Sequence, residues 1–275
     1  MGAASMDLRA ELQWSALTDR GQVRAQNEDA VCILPEIGVA LLADGMGGYK
    51  AGEVASRIAV NVCTSFLQQG MRDVAGGSGD RAGRLSRLLR DSVIQANATI
   101  VQASRREPEY AGMGTTLVAA LLHHDRLLLV HVGDSRAYRL RAGMLEQITR
   151  DHSQVQEQVD AGLLTPEQAR HAPNRNLVTR AMGIDHAIDV ELNRFTTQAG
   201  DLYLLCSDGL SDMLDDAQIA ALLQAGAALD AIAAGLVGAA NAAGGLDNVS
   251  VVLCRVVSCE PDNPGLLGRM LVWVR

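Results

Sequence analysis

Six acidic residues of the sequence share one setting: each stands at the end of an apolar run, just before such a run, or in the adjoining turn. They are Glu28, Asp29, Asp44, Asp134, Asp208 and Asp247. Taken singly, each is explained more simply by structure, because turns beside strands favour aspartate and glycine for backbone reasons. The same arrangement at several separate places indicates instead that the acids act together.

Convergence of these acids would create a cation site. If the ends of the apolar runs meet in the fold, four or more carboxylates crowd together, and their mutual repulsion requires a compensating positive charge. Oxygen ligands without histidine or cysteine favour Mg²⁺ or Mn²⁺ over Zn²⁺. The glycines after Asp44 fit this interpretation, since a main-chain carbonyl can also bind a cation where no side chain blocks its approach. We therefore predict that Asp44 is a metal ligand.

The glycine-rich stretch GMGGYK, residues 45–50, has a competing interpretation as a phosphate-binding loop. A P-loop requires G-x-x-x-x-G-K-[ST], whereas Ala51 follows Lys50 in this chain. A dinucleotide-binding loop requires G-x-G-x-x-G, and Lys50 occupies the position of its third glycine. Both spacings fail, so neither kind of nucleotide loop is expected.

Strands and helices are predicted from the apolar pattern. Continuous apolar runs, typical of strands covered on both faces, lie at residues 30–34, 39–43, 115–122, 126–132, 202–206 and 249–257. Apolar residues at helical spacing predict helices over 54–67, 85–103 and 229–243, and one more that begins near 215–216, where an aspartate can cap it.

Two segments between these elements are predicted to be irregular. Residues 70–83 are rich in glycine and are expected to form a flexible loop. Residues 151–185 are polar and interrupt the series of strands, as an inserted flap would, and Thr165 to Gln168 form a capping box for a short helix within them. Strands, then two helices, then strands again indicate a layered α+β fold of two packed sheets with helices outside.

Composition limits the possible partners. The chain has 275 residues and a net charge of −8, which argues against nucleic-acid binding. No stretch approaches the roughly 18 to 20 consecutive apolar residues of a membrane span. The N-terminus lacks the basic and apolar regions of a secretion signal, so a cytoplasmic location is expected.

Seven motifs, taken together and in this order, resemble those of the metal-dependent PP2C-type (PPM) serine/threonine protein phosphatases, most closely the compact bacterial members. They are RAQNED, DGMGG…AGEVAS, GMGTTL, VGDSRAY, DHS, CSDGL and GGLDNVSVV, and they extend over about residues 12–257. The resemblance implies a four-layer α-β-β-α sandwich with two central antiparallel sheets. A single domain over residues 1–259 is expected, with the flap at 151–185 and an extension of unassigned role at 260–275.

The resemblance also implies the ligands of two metal ions. Asp44 matches the carboxylate that bridges both ions in the family, and Gly45 matches the residue whose carbonyl binds one of them. Asp208 and Asp247 match the other direct ligands.

Further roles follow from the same matches. Glu28 and Asp29 resemble the acids that hold metal-bound waters. Arg24 resembles the arginine that binds the substrate phosphate, for which a planar guanidinium is well shaped. Asp134 resembles the aspartate that, with Asp208, binds a third ion in bacterial members.

One position departs from the pattern of some eukaryotic members. Met46 stands where they carry a histidine that protonates the leaving oxygen, and methionine has no proton to give. A metal-bound water would have to serve here. His152, in the DHS motif, is the nearest alternative acid, although a structural role is the favoured interpretation for it.

The implied activity is hydrolysis of phosphoserine and phosphothreonine in proteins, by direct attack of a hydroxide that bridges two Mn²⁺ or Mg²⁺ ions. A cognate serine/threonine kinase and its targets are the expected partners. The motifs of cysteine-dependent, aspartyl-phosphate and other metallophosphatases are absent from the sequence. The alternative is a catalytically inactive phosphoprotein-binding scaffold of the same fold, which would be marked by a missing ligand.

Overall fold

A computed structural model describes residues 10–48, 51–76 and 80–261. The strands are β1 (Ala10–Asp19), β2 (Asp29–Leu34), β3 (Val39–Met46), β4 (Gly114–Thr115), β5 (Leu117–His123), β6 (Arg126–Val132), β7 (Arg136–Arg141), β8 (Met144–Gln147), β9 (Glu191–Thr196), β10 (Leu202–Cys206) and β11 (Val249–Cys259). The α-helices are α1 (Ala51–Gly76), α2 (Arg81–Arg106), α3 (Gln154–Asp160), α4 (Pro166–Arg170), α5 (Asp208–Ser211), α6 (Asp216–Leu223) and α7 (Leu229–Ala242).

The strands form two antiparallel sheets. One has the order β1-β11-β10-β7-β8, and the other has the order β2-β3-β5-β6-β9, with the short β4 paired to the end of β3. Neighbours along each sheet are often distant in sequence, as in the pairing of β1 with β11 over ten residues of each strand. The two ends of the described chain are therefore joined in one sheet.

Apolar side chains fill three separate layers. In β3, Leu42 faces the space between the sheets with Leu205 and Val252, while the adjacent Leu41 faces α1 and α2. This alternation follows from the pleat, which points successive side chains to opposite faces. A third cluster, centred on residues such as Leu236, fills the space between the other sheet and α5–α7. The predicted α-β-β-α sandwich is confirmed.

The segment at residues 70–83, expected to be a flexible loop, is largely helical. The prediction was wrong because α1 continues to Gly76 and α2 already begins at Arg81. Met71 and Val74 are buried and prolong the apolar stripe of α1. The side chain of Asp80 accepts a hydrogen bond from the main-chain N–H of Gly83 and so caps α2.

Residues 151–185 contain two short helices and little other regular structure. The capping box predicted at Thr165 and Gln168 is present, with both reciprocal hydrogen bonds formed. Arg175 Nε of this flap lies 3.6 Å from Oδ2 of Asp212, the residue just after α5. This ion pair connects the flap to the rest of the chain. In the part of the chain that the structure describes, no helix is long and apolar enough to cross a membrane. Residues 262–275 of the expected C-terminal extension lie outside it.

Candidate metal centre

The pairing of β2 with β3 places two of the predicted acids side by side. Asp29 begins β2, and its Cα partner in β3 is Asp44. The main-chain carbonyl of Asp44 accepts hydrogen bonds from the Thr115 hydroxyl and the Thr116 N–H, both at 2.8 Å. The Thr116 hydroxyl accepts the N–H of Asp44 at 3.1 Å. Asp44 is thus fixed through its backbone beside Asp29.

Two more acids meet at the corresponding edge of the other sheet. Asp208 follows β10 and begins α5, while Asp247 precedes β11. Because β10 and β11 are antiparallel neighbours, the end of one strand and the start of the other lie together. A Cβ atom on Gly209 would lie only 2.0 Å from the Asn248 carbonyl oxygen, so this close approach requires glycine. Asp134 occupies the turn after β6 and is 9% exposed.

The segment that carries Arg24 is joined to Asp247 and its neighbour. Arg24 Nη2 donates to Asp247 Oδ2 at 2.6 Å. The Asn248 side-chain amide donates to the carbonyls of Arg20 and Gln26, and its oxygen accepts from the Glu28 N–H at 2.8 Å. One asparagine therefore holds the whole loop from residue 20 to 28 beside the site.

Glycines at positions 45 and 52 allow the start of α1 to reach the site. A Cβ atom on Gly45 would lie 2.2 Å from the Gly52 carbonyl oxygen and 2.6 Å from the Glu28 carbonyl oxygen. A Cβ atom on Gly52 would lie 2.5 Å from Glu28 Oε2. Backbone packing thus requires a glycine after Asp44. This reason adds to the one predicted from the sequence, which was space for a cation beside the main-chain carbonyl.

The clustered acids shift one another's pKa values. Burial raises the pKa of Asp44 well above its ordinary value, and the charges of Asp29, Asp208, Asp134 and Asp247 raise it further. The pKa of Asp208 is also raised well above the ordinary value, by burial and then by the charge of Asp134. Burial is the main cause that raises the pKa of Asp29 and of Asp134 to about 6. These couplings show that the five aspartates converge on one region.

Two carboxylate oxygens in this region are buried and have no hydrogen-bond partner, namely Asp29 Oδ1 and Asp208 Oδ1. Buried carboxylates are normally paired or bound to a metal, because an uncompensated buried charge is costly. The donors are all oxygen atoms, which suits Mg²⁺ or Mn²⁺. The residues present therefore fit hard divalent cations.

Three neutral residues position these acids, and none of the three was predicted from the sequence. Thr116 holds the backbone of Asp44, Asn248 holds the loop of Glu28, and the Ser207 hydroxyl donates to Asp29 Oδ2 at 2.9 Å. All three lie within the quoted motifs, and Ser207 and Asn248 also stand directly beside Asp208 and Asp247 in the sequence.

Met46 and His152 also have defined surroundings. Met46 ends β3 opposite Gly114 of β4. The main-chain N–H of His152 donates to the Gly133 carbonyl, and its ring Nδ1 accepts the Gly133 N–H at 3.2 Å. These bonds to the residue before Asp134 support the structural role favoured for His152.

Comparison with known proteins agrees with this architecture. The family model described as Protein phosphatase 2C matches residues 20–237. The chain is 43% identical over 250 residues to the serine/threonine protein phosphatase PstP of Mycobacterium tuberculosis, covering 90% of this chain and 46% of that protein. It thus spans about half the length of that relative.

Two further relatives are matched over nearly their whole length. The serine/threonine phosphatase stp of Listeria monocytogenes is 34% identical over 239 residues, covering 86% of this chain and 92% of that protein. The catalytic domain of PstP in complex with two manganese ions superposes with a TM-score of 0.78 and 42% identity, covering 90% of this chain and 99% of that one. The chain belongs to the protein phosphatase 2C family.

Proposed function

We propose that this protein is a metal-dependent phosphoprotein phosphatase that hydrolyses phosphoserine and phosphothreonine. The observation that carries the proposal is the convergence of five aspartates from both sheets, with two buried carboxylate oxygens that lack a partner. Membership of the protein phosphatase 2C family supports it, as does the pair of manganese ions in the PstP complex.

The cations are assigned to the acids at the sheet edges. Asp44, the Gly45 carbonyl, Asp208 and Asp247 are the proposed direct ligands of two Mn²⁺ or Mg²⁺ ions. The negative charge of Asp134 raises the pKa of Asp208, so the two carboxyl groups lie close together. This proximity supports a further ion between them. When bound, such ions supply positive charge that stabilises the phosphoryl oxygens and lowers the pKa of a nucleophilic water.

Glu28 and Asp29 are proposed to accept hydrogen bonds from the water around the ions. The Ser207 hydroxyl holds Asp29, and burial raises the pKa of Glu28. A nearby cation would therefore stabilise the charged form of both carboxyl groups. Ser56 keeps the Glu28 segment in place, because its hydroxyl donates to the Glu28 carbonyl at 2.5 Å.

Arg24 is the proposed binding group for the substrate phosphate. Its side chain is 55% exposed and bonded to Asp247, so the guanidinium is held at the rim of the site and can still contact a ligand. A guanidinium binds two phosphate oxygens at once. Met46 cannot protonate the leaving oxygen, and we assign that proton to a water molecule rather than to His152.

Phosphorylated proteins are the proposed substrates, and the kinase that phosphorylates them is the proposed functional partner. The names of the relatives support the serine/threonine class of substrate. We further propose that the protein acts in the cytoplasm, on proteins that such a kinase has phosphorylated there. Residues 1–259 are the proposed catalytic domain.

Hydrolysis of p-nitrophenyl phosphate and of a phosphothreonine peptide tests the proposal. Wild-type protein should turn over both with Mn²⁺ or Mg²⁺ and neither with EDTA. Asp208→Ala removes a ligand and should lower kcat by about 10²-fold or more, whereas Asp73→Ala, on the exposed face of α1, should leave it unchanged.

A folded wild-type sample without turnover in either metal would contradict the phosphatase proposal. Binding of the phosphothreonine peptide by that inactive sample would instead support the phosphoprotein-binding scaffold.

A further inference from the structure

Two histidines and one glutamate form a cluster outside the set of acids described above. His131 lies in β6, His152 begins the flap segment, and Glu191 begins β9. One donor atom from each lies within 4.8 Å of the other two. His131 and Glu191 are Cα partners across the β6–β9 pair, and the rings of His131 and His152 stack with centroids 4.6 Å apart.

Each imidazole uses one nitrogen for a main-chain hydrogen bond and leaves the other without a partner. His131 Nε2 lies 2.8 Å from the Arg150 carbonyl oxygen, which can only accept, so Nε2 carries a proton and donates it. His152 Nδ1 accepts the Gly133 N–H. His131 Nδ1 is buried and has no hydrogen-bond partner, while His152 Nε2 is buried and lies 3.6 Å from Glu191 Oε2, just beyond hydrogen-bond distance. Buried ring nitrogens of this kind normally bind something.

We propose that His131 Nδ1, His152 Nε2 and the Glu191 carboxylate form a separate site for a transition-metal cation of the zinc type. Two imidazoles and one carboxylate are a common ligand set for zinc, with bonds of about 2.0–2.2 Å. Glu191 is 43% exposed, so a cation could reach the two buried imidazoles from the side of this carboxylate. Imidazole ligands favour Zn²⁺ and similar ions, whereas the oxygen ligands of the carboxylate site favour Mg²⁺ and Mn²⁺.

A cation at this site requires one unprotonated nitrogen on each imidazole, His131 Nδ1 and His152 Nε2. The Nε2–H bond of His131 to a carbonyl leaves Nδ1 as the nitrogen that can bind a cation, and such a bond is the usual support of a metal-binding histidine. Burial lowers the pKa of His152 and keeps the ring neutral. His152 now accepts the Gly133 N–H at Nδ1, so metal binding at Nε2 would move the ring proton to Nδ1 and break this 3.2 Å bond.

Two of the three donor atoms already lie near the separation that a shared zinc ion requires. His152 Nε2 and Glu191 Oε2 are 3.6 Å apart, close to the separation of two ligands on one zinc ion. Glu191 is the most exposed of the three and can shift toward the rings. The cation would join β6 and β9 to the first residues of the flap, next to Gly133 and Asp134.

Zinc stoichiometry, measured on the 275-residue protein, tests the site independently of phosphatase activity. Metal-stripped protein is titrated with Zn²⁺ by calorimetry and with Co²⁺ by visible absorption, which reports imidazole ligands. The site variants are His131→Gln and Glu191→Gln. The matched controls are His171→Gln and Glu11→Gln, which change exposed residues elsewhere.

The site variants should each bind one Zn²⁺ fewer than wild type, or bind that ion at least about tenfold more weakly. Both controls should match wild type, and all five proteins should bind the same number of Mn²⁺ ions. Equal zinc stoichiometry, affinity and Co²⁺ spectra in wild type and Glu191→Gln would overturn the proposal. Glu191 is half exposed, so this variant should keep its fold, which circular dichroism checks.

Discussion

At the scale of single residues, the acids of the site could be predicted from the sequence, but most of their supports could not. Aspartates such as Asp44 and Asp208 are visible because a charged residue beside an apolar run is conspicuous. Asn248 and Thr116 are neutral residues of types common in turns, and their roles arise from bonds to segments far away in sequence. Such long-range partners are set by the fold.

Asn248→Ala should loosen the loop that carries Arg24 and Glu28. The substitution removes bonds to the Arg20 and Gln26 carbonyls and to the Glu28 N–H, and it leaves these groups partly buried without partners. We expect a loss of about 1–3 kcal/mol in the free energy of unfolding and a raised KM for a phosphopeptide. Chemical denaturation and steady-state kinetics measure the two effects. Asn61→Ala, exposed on α1, is the control, and equal behaviour of both variants would contradict the role of Asn248.

At the scale of elements, the strands with continuous apolar runs were predicted, and those with mixed patterns were missed. β1, β8 and β9 lie at sheet edges and expose alternate residues, so their sequences resemble polar loops. β7 was missed because arginines occupy three of its six positions. One of them, Arg136, is stabilised by a bidentate contact with Asp151, which only the folded chain reveals.

Gly45→Ala should separate β3 from the start of α1. Its Cβ atom would lie 2.2 Å from the Gly52 carbonyl oxygen, so one backbone must move. We expect a loss of about 1–3 kcal/mol in the free energy of unfolding and weaker Mn²⁺ binding, because Asp44 and Glu28 shift with these segments. Gly48→Ala is the matched control, since a Cβ atom there meets nothing within 4 Å. Calorimetric Mn²⁺ affinity that is equal in both variants would contradict this account of the packing.

At the scale of the whole molecule, the sandwich brings strand ends from both sheets to one edge and concentrates negative charge there. Burial is the main cause that raises the pKa of Asp29 and Asp134 to about 6, and the pKa values of Asp44 and Asp208 are raised as well. In the unfolded chain these groups titrate near their ordinary value of about 3.9. Without metal, the folded state therefore binds more protons than the unfolded state from about pH 4 to above pH 6.

The stability of the metal-free protein should consequently rise as the pH falls from about 7.5 to about 5.5. The stabilisation from these raised pKa values is complete below the unfolded pKa and is lost as the pH rises through the folded pKa. His152, whose pKa is lowered mainly by burial, acts in the opposite direction, but it is one group against four. Thermal unfolding in EDTA should thus give a higher Tm at the lower pH. Saturating Mn²⁺ should reverse the order, because the cation binds the deprotonated carboxylates. A metal-free Tm that decreases as the pH is lowered from about 7.5 to about 5.5 would show that the four acids do not share one charged site.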